Sequence, residues 1–283
     1  IYFDKSVIQR LRSPFSDNVL QTNLSLNVTR QLLSLPFRHA FISQSISDKC
    51  LVSLKSREAT YFFPLWLYNS EQQNTNQKSL LDDAQVSLDK ETNIKKQIIA
   101  LLTSSYNKEI PPEEIFYYIY AVLYSNTYRE QYEEFLKIDF PKIPFTKNYK
   151  IFKQLSDLGK ELAELHLLKG SSLKSKFSSR FGGSDDGFVK KAHYNEKKKR
   201  VYINEKQYFT NIKPEVWNYY IGGYQILHKW LKDRKGKSLS SEEINHYIKV
   251  VAALKETIKI QKKLDGVYLK AEKDIVSFNQ KSN

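Results

Sequence analysis

Sulfur is almost absent from this sequence, which has one cysteine, Cys50, and no methionine among its 283 residues. A single cysteine cannot form an internal disulfide or supply the several thiolates of a cysteine-type zinc site. Cys50 lies in an apolar run, and we expect it to be a small buried side chain. Because the chain also begins with isoleucine, we expect it to be a segment of a larger polypeptide.

Long apolar runs are missing as well. No run approaches the roughly 18 to 20 residues that span a bilayer, and the N-terminus lacks a charged-then-apolar signal pattern. Aromatic residues are plentiful, with 19 Tyr and 16 Phe, and 41% of the residues are hydrophobic. This composition predicts a folded protein of the cytoplasm that has no membrane partner.

The motifs of catalysis are also missing. There is no Asn-Pro-Pro-Tyr loop for a flipped adenine, no Gly-rich turn for S-adenosylmethionine, and no Gly-Lys-Ser/Thr loop for ATP. The five histidines lack the i, i+4 pairing with a nearby acid that indicates a metal site. Asp185-Asp186 is a candidate magnesium pair, but a solvated acidic loop is favoured because no strand with Glu-x-Lys accompanies it. We expect no catalytic centre, metal or cofactor in this segment.

The net charge of +14 is concentrated in the middle of the chain. Residues 140–240 carry 22 Lys/Arg and 9 Asp/Glu, whereas residues 1–139 carry 15 and 16. A localised basic excess is typical of a polyanion-binding face, because each neutralised phosphate releases condensed counterions. A solubilising surface is the alternative for any single run of lysines.

Two clusters contain most of the excess, and we predict that both contact DNA phosphates. The first comprises Lys174, Lys176, Arg180, Lys190, Lys191, Lys197, Lys198, Lys199 and Arg200. The second comprises Lys229, Lys232, Arg234, Lys235 and Lys237. Base reading needs Arg or Lys for guanine and Asn or Gln for adenine, and the candidates are Arg38, Arg180 and Gln225.

The patterns along the chain predict an α+β fold. Residues 1–68 read as β-rich, and residues 69–79 read as a polar linker. Helices follow, and Pro111-Pro112-Glu113-Glu114 marks a helix start. A second helix should carry Tyr128, Tyr132, Phe135 and Leu136 on one side, and a third should run from about residue 149 to 168.

The remainder mixes coil, hairpins and one more helix. Residues 170–187 are rich in Ser and Gly, and we expect them to be mobile. Arg200-Val201-Tyr202-Ile203 and Gln207-Tyr208-Phe209 flank a turn and predict a β-hairpin. Ser240 and Glu243 have capping-box spacing, which predicts the start of the last helix. We divide the chain into a β-rich part (1–75), a helical part (76–169) and a basic part (170–283). We expect them to form a basic cleft, either as separate parts or as one DNA-recognition domain.

Two segments resemble a known family. Tyr118–Ser125 (YIYAVLYS), Tyr128-Arg129 and Phe135–Pro144 (FLKIDFPKIP) are similar to a stretch near the C-terminus of single-polypeptide restriction-modification proteins, the type ISP enzymes. Ile221–Leu227 (IGGYQIL) and Lys229–Lys235 (KWLKDRK) resemble a second stretch of the same proteins. The resemblance runs from about residue 30 to residue 265.

This resemblance implies a specificity domain that follows a motor and an N6-adenine methyltransferase module. It implies that double-stranded DNA and these upstream modules are the partners, and that S-adenosylmethionine, ATP and magnesium bind only upstream. The segment would fix the register of the DNA and help to bend or open it, so that the transferase receives its adenine.

Other interpretations stay open at this stage. The paired glycines Gly222-Gly223 let the backbone pass close to another surface, which is either a phosphate or, if they form a strand bend, the protein itself. The aromatic residues Trp217, Tyr220, Tyr224 and Trp230 are expected in the core. The chain as a whole is alternatively an interaction scaffold for the upstream modules, or an RNA-binding protein whose tyrosines stack on bases. A stand-alone hydrolase is the least favoured alternative, because no nucleophile has an identifiable base.

Overall fold

The computed structural model describes residues 23–33, 36–45, 47–55, 58–68, 90–169 and 171–277. Strands predominate before residue 93 and helices after it, with short strands inserted between residues 181 and 225. The predicted α+β class is confirmed. The linker predicted at residues 69–79 lies outside the described residues, and the division into three parts stays a prediction.

The strands and helices are labelled in chain order. The strands are β1 (Ser25–Thr29), β2 (Ala40–Ser43), β3 (Thr60–Pro64), β4 (Trp66–Tyr68), β5 (Lys90–Thr92), β6 (Phe181–Gly182), β7 (His193–Asn195), β8 (Arg200–Tyr202), β9 (Tyr208–Phe209), β10 (Tyr220–Ile221) and β11 (Tyr224–Gln225). The helices are α1 (Lys96–Tyr106), α2 (Pro112–Tyr124), α3 (Asn126–Gln131), α4 (Glu133–Ile138), α5 (Tyr149–His166), α6 (Pro214–Trp217), α7 (Ile226–Lys232) and α8 (Ser241–Ala271), with a 3-10 helix at Ser171–Lys176.

The first sheet has the antiparallel order β2-β1-β3, with β1 in the centre. Both neighbours pair with β1, so its polar residues Ser25, Asn27 and Thr29 are buried along with Val28. β4 and β5 form a separate antiparallel pair. The β-rich interpretation of the N-terminal part is therefore confirmed for the residues described there.

Buried tyrosines hold the proline-containing connector between α4 and α5. Prolines lack an amide donor, so the connector pairs with no strand and its carbonyl groups need other donors. The hydroxyl of Tyr118 donates to Pro144 O at 2.7 Å, and that of Tyr128 donates to Lys142 O at 2.9 Å. The hydroxyl of Tyr106 donates to Thr146 O at 2.5 Å.

The predicted helix over residues 128–136 is broken in two. α3 ends and α4 begins around Tyr132, whose backbone has a φ of −106°. The four residues predicted to share one side of this helix do not share one environment, because Phe135 is 67% exposed while Leu136 is buried. The break turns the phenyl ring of Phe135 away from the core. The helix start predicted at Pro111-Pro112 is confirmed.

A second core lies under a four-stranded antiparallel sheet of order β6-β9-β8-β7. The predicted hairpin is confirmed, since Val201 pairs with Phe209 and both are buried. Part of the Ser- and Gly-rich stretch predicted to be mobile forms the 3-10 helix and β6, and the 3-10 helix buries Leu173 in the first core.

Helix α8 is shared by the two cores. Ser240 and Glu243 form the predicted capping box at its start. Its first half contributes Tyr247, Val251 and Leu254 to the second core, and its later turns contribute residues such as Leu264 to the first core. One continuous 31-residue helix therefore fixes the two cores relative to each other.

A partly buried histidine, His166, lies where α2, α5 and α8 meet. Thr257 on α8 donates its hydroxyl hydrogen to Ala253 O at 2.8 Å, so its oxygen accepts from His166 Nε2 at 2.9 Å. The hydroxyl of Tyr120 then donates to His166 Nδ1 at 2.6 Å. The ring is held as the neutral Nε2–H tautomer. Burial, and next the charge of Arg129, lower the pKa of His166 to about 3.

The close approach of α2 and α5 predicts opposite effects for two glycine substitutions. A Cβ at Gly159 would lie 1.9 Å from Tyr117 O, whereas a Cβ at the exposed helical Gly266 meets no atom within 4 Å. We expect Gly159→Ala to lower the free energy of unfolding by about 2 to 3 kcal/mol, and Gly266→Ala to raise it by about 0.5 to 1 kcal/mol. Urea unfolding measures both, and equal tolerance of the two substitutions would contradict the packing.

The pKa of His166 predicts that acid destabilises the fold. In the unfolded chain a histidine has a pKa of about 6.5 and is protonated below that pH. In the folded protein His166 is protonated only near pH 3. Stability is therefore lost as the pH falls below about 6.5, by about 1.4 kcal/mol per pH unit for this group. Urea unfolding between pH 7 and pH 4 measures how the free energy of unfolding depends on pH. His166→Gln should reduce this dependence by the equivalent of about one proton. Tyr128→Phe is the control, because it removes a hydrogen bond to Lys142 O that does not involve His166 and should lower stability equally at each pH.

Candidate nucleic-acid interface

Backbone hydrogen bonds fix the first pair of predicted lysines beside the second cluster. Val189, which is buried, exchanges two hydrogen bonds of 2.9 Å with the turn at residues 235–237. Lys190 N donates to Ile203 O at 2.9 Å and ties the segment to the end of β8. Lys190 and Lys191 are therefore held between the hairpin and the turn that follows α7.

Two adjacent surface depressions meet at Lys191. The larger, of about 450 Å³, is lined by Lys190, Lys191, His193, Asn195, Tyr202, Asn204 and Glu205. The smaller, of about 200 Å³, is lined by Val189, Lys191, Ala192, His228, Leu231, Lys232 and Lys235. The fold thus brings together lysines about 40 positions apart in the sequence. We call Lys190, Lys191, Lys232 and Lys235 the lysine surface.

A polar network supports one edge of this surface. Asn204 Nδ2 donates to Phe188 O and to Gln207 Oε1, both at 3.0 Å. Gln207 Oε1 also accepts from Gly187 N at 2.8 Å, and Gln207 Nε2 donates to Asp185 O at 3.0 Å. The loop that precedes Lys190 is therefore tied to the β8–β9 turn.

Many predicted lysines have no internal partner. Their ammonium groups form no ion pair, hydrogen bond or cation–π contact with any residue that the structure describes; they belong to Lys190, Lys191, Lys197, Lys198, Lys199, Lys232, Lys235 and Lys237. All eight are exposed. Like charges gathered on one surface repel each other, and a polyanion relieves that repulsion.

Other predicted cations are held by the protein. Arg200 stacks over Tyr208 with its guanidinium carbon 4.1 Å from the ring centre. Lys229 Nζ pairs with Asp233 Oδ2 at 2.6 Å. Arg234 lies 3.5 Å from the Trp230 ring centre, and its Nε donates to Glu243 Oε1 at 2.8 Å. The side chains of Arg200, Lys229 and Arg234 are thus oriented before any ligand arrives.

The glycine pair approaches the protein itself and not a phosphate. Gly222 N donates to Arg38 O at 2.7 Å, and Gly223 N donates to Val52 O at 2.9 Å. Gly222 has a φ of +55°, and a Cβ there would lie 1.7 Å from Val52 O. The strand-bend alternative is correct, because the β10–β11 hairpin docks on the N-terminal part. Its aromatic residues are not fully in the core: Trp217, Tyr224 and Trp230 are half-buried, and Tyr220 is 37% exposed.

Cys50 lies beside this docked hairpin and is exposed, so the prediction of a buried thiol is wrong. Its amide donates to Asp48 Oδ1 at 2.6 Å in a local turn, and its carbonyl accepts from the Tyr224 hydroxyl at 3.0 Å. The backbone of Cys50 is used in these contacts, and the turn directs its side chain outward.

The base-reading candidates have different environments. Gln225 Nε2 donates to Trp217 O at 2.8 Å. Arg38 is half-buried, with its guanidinium carbon 5.5 Å from the Tyr220 ring centre, and burial lowers its pKa. Arg180 is exposed at the start of β6. Lys176, from the phosphate group of candidates, is exposed as well, and the side chain of Lys174 lies outside the described residues.

Sequence reasoning missed several residues of the depressions, among them three with aromatic rings. His193, Tyr202 and His228 line them together with the lysines. The alternation of side chains along β8 could have indicated Tyr202, because Val201 is buried and its neighbour Tyr202 faces the opposite side of the strand. His228 had no such signal, since its place depends on how α7 packs.

Among the described residues, no group of three or more His, Cys, Asp or Glu is placed to hold a metal ion. No helix in that part of the chain is long and apolar enough to cross a membrane.

Solved structures with the same fold come from larger proteins. The ATP-dependent Type ISP restriction-modification enzyme LlaBIII bound to DNA has a TM-score of 0.63 at 20% identity, covering 86% of this chain and 16% of that one. A nuclease-deletion mutant of the Type ISP enzyme LlaGI with a DNA substrate mimic has a TM-score of 0.58 at 18% identity, covering 86% and 18%. The DrdV–DNA complex has a TM-score of 0.64 at 18% identity, covering 88% and 25%.

No curated protein matches the chain. A family model described as the Type ISP C-terminal specificity domain matches residues 1–263, which is most of the chain. The chain therefore belongs to the family of Type ISP C-terminal specificity domains.

Proposed function

We propose that this chain binds double-stranded DNA as the non-catalytic specificity domain of a longer restriction-modification enzyme. The observation that carries the proposal is the lysine surface, where Lys190 and Lys191 meet Lys232 and Lys235 without internal partners among the described residues. Ammonium groups on flexible stems are suited to phosphate contacts, and phosphate contacts supply most of the affinity for duplex DNA.

The predicted side chains fall into two roles within this proposal. The unpartnered lysines, with Lys174 and Lys176, contact phosphates along one basic cleft and set the position of the duplex. Cations held by internal partners, such as Arg200 and Arg234, present a fixed geometry. Base reading falls to two residues that can form paired hydrogen bonds to a base edge, Arg180 and Gln225.

Duplex DNA is favoured over RNA by the placement of the tyrosines. Sequence-specific RNA recognition relies on aromatic rings that stack on unpaired bases. Six tyrosines are less than 2% exposed and cannot stack on a ligand: Tyr118, Tyr120, Tyr124, Tyr128, Tyr247 and Tyr268. The structures of LlaBIII and LlaGI with the same fold contain DNA or a DNA mimic.

The chain spans about 16% to 25% of the length of these similar proteins. We place motor and N6-adenine methyltransferase modules upstream in the intact protein, in the cytoplasm, with S-adenosylmethionine, ATP and magnesium bound there. The specificity domain fixes the register of the DNA, so that the transferase receives the target adenine.

A second surface fits the scaffold role. Tyr61, Phe63, Phe135 and Ile138 are 39% to 67% exposed, and Phe140 stacks edge-on with both Tyr61 and Phe63. An exposed apolar patch of this kind marks an interaction site. Its occupant in our proposal is the remainder of the same polypeptide, because this chain covers only a fraction of similar proteins.

The lysine surface predicts a salt-dependent DNA affinity. The double variant Lys190→Gln/Lys232→Gln removes two phosphate contacts. It should weaken duplex binding about tenfold and reduce the slope of log K against log salt by about 2. Fluorescence anisotropy with a duplex, titrated between 50 and 200 mM salt, measures both quantities.

The matched control is Lys262→Gln/Lys263→Gln, which removes the same charge from exposed positions of α8 outside the lysine surface. This control should leave the slope almost unchanged. Equal losses in the two double variants would mean that only net charge matters, and a flat salt response of the unmodified chain would favour the scaffold function. Tighter binding to an RNA of the same sequence would favour the RNA interpretation.

The apolar patch predicts protection in the intact protein. Hydroxyl-radical footprinting should modify Phe63 and Phe135 in the isolated chain and modify them several-fold less in the longer polypeptide. Phe177, which is 38% exposed and does not belong to the apolar patch, is the aromatic reference. Equal modification of Phe63 and Phe135 in the two proteins would remove this contact from the proposal.

A further inference from the structure

Two arginines share a cavity at the junction of the N-terminal part with the helices. The cavity, of about 230 Å³, is lined by Arg38, Asn126, Arg129, Glu215, Asn218, Tyr219, Tyr220, Ile258 and Gln261. Arg38 comes from the segment before β2, and Arg129 comes from α3. None of these residues lines the depressions around the lysine surface.

Arg129 is buried without a counter-charge. Its side chain is 8% exposed, and its Nε donates to Leu123 O at 2.6 Å. The Tyr124 ring lies 4.7 Å from its guanidinium carbon. It forms no ion pair with any carboxylate that the structure describes, and no hydrogen bond there uses either of its Nη nitrogens.

Arg38 adds a second uncompensated charge to the same cavity. It is half-buried, stacks on Tyr220, and forms no ion pair with a described carboxylate. Burial and then the charge of Arg129 lower the pKa of Arg38. Arg129 also lowers the pKa of His39 and of His166. Its positive charge therefore acts on two neighbouring side chains besides Arg38.

Two of the other lining side chains are engaged in hydrogen bonds within the protein. Gln261 donates to Tyr124 O at 3.1 Å and accepts from Tyr219 at 3.1 Å. The amide of Asn126 donates to Asp265 Oδ2 at 3.0 Å. Glu215 is the one carboxylate among the lining residues; it is exposed and lies 3.8 Å from Lys213 Nζ.

Burying a cation without a partner costs several kcal/mol, and a second cation beside it adds repulsion. A phosphate group removes both costs, because its oxygens accept the forked donors of two arginines and its charge neutralises them. We propose that this cavity is an anion site in which Arg38 and Arg129 bind one phosphate group. The phosphate comes either from the DNA backbone or from a free phosphorylated molecule.

Inorganic phosphate is the probe for the site. Titration from 1 to 100 mM, against sodium chloride of equal ionic strength, should raise the melting temperature of the full chain saturably, since an anion that binds only the folded state stabilises it. Arg38→Gln should weaken this response at least tenfold. Glu215→Gln should strengthen it, because it removes the carboxylate that lines the cavity.

Two results would overturn the site: no saturable phosphate effect beyond ionic strength, or an effect that Arg38→Gln leaves unchanged. Lys262→Gln/Lys263→Gln is the control and should bind phosphate as the unmodified chain does, because both lysines are exposed on α8 and neither lines the cavity. Arg129→Gln is a second variant. If this variant folds, its binding of phosphate is measured by isothermal titration calorimetry. Retained phosphate binding by folded Arg129→Gln would also contradict the proposal.

Duplex DNA distinguishes the two sources of phosphate. If the site holds a backbone phosphate, duplex displaces inorganic phosphate, and Arg38→Gln lowers the salt slope of DNA binding by about 1. If it holds a free phosphorylated molecule, phosphate still binds to the DNA complex and the slope is unchanged. Both results support the site, and neither depends on the lysine surface, so a failure of the proposed DNA function is separable from a failure of this proposal.

Discussion

The packing of α8 against both hydrophobic cores is the constraint on which the other features depend. Its early turns lie under the four-stranded sheet, and its later turns pack with α2, α3 and α5. Asp265, near its end, accepts hydrogen bonds from Ser125 Oγ, Asn126 Nδ2 and Thr127 N at the start of α3. The same contact that starts α3 therefore sets the position of Arg129 relative to the second core.

The two candidate binding surfaces follow from how separate segments meet on this frame. The lysines come together because Val189 bonds to the turn after α7, and that turn leads directly into the cap of α8. The backbone of Arg38 is fixed at the cavity by the β10–β11 hairpin, whose glycine turn donates hydrogen bonds to Arg38 O and Val52 O. In both places, backbone hydrogen bonds between distant segments do the positioning, and the charged side chains extend from positions already fixed.

Features with a local cause could be predicted from the sequence. The capping box at Ser240, the proline helix start and the β8–β9 hairpin each depend on residues a few positions apart, and the family resemblance was carried by long contiguous motifs. The break at Tyr132, the exposed Cys50 and the contact of Gly222 depend on partners elsewhere in the chain. The central basic excess was visible in the sequence, but the meeting of Lys191 with Lys232 and Lys235 depends on the packing of α7. Local sequence patterns also could not predict which cationic side chains contact other residues of the protein, as Arg234 contacts Trp230.

The exposed lysines that have no ion pair or hydrogen bond with any described residue bear on how a binding site is found. In the DNA-binding role that we propose, such an ammonium group would exchange readily between neighbouring phosphates, so these side chains would hold any stretch of duplex about equally well. Such contacts allow one-dimensional diffusion along DNA between encounters. Other cellular polyanions would compete for the same lysines. The time that the domain spends on non-target DNA would therefore depend on the salt concentration and on the concentration of these competitors. Discrimination between DNA sequences would then depend on the side chains whose orientation is fixed by contacts within the folded protein.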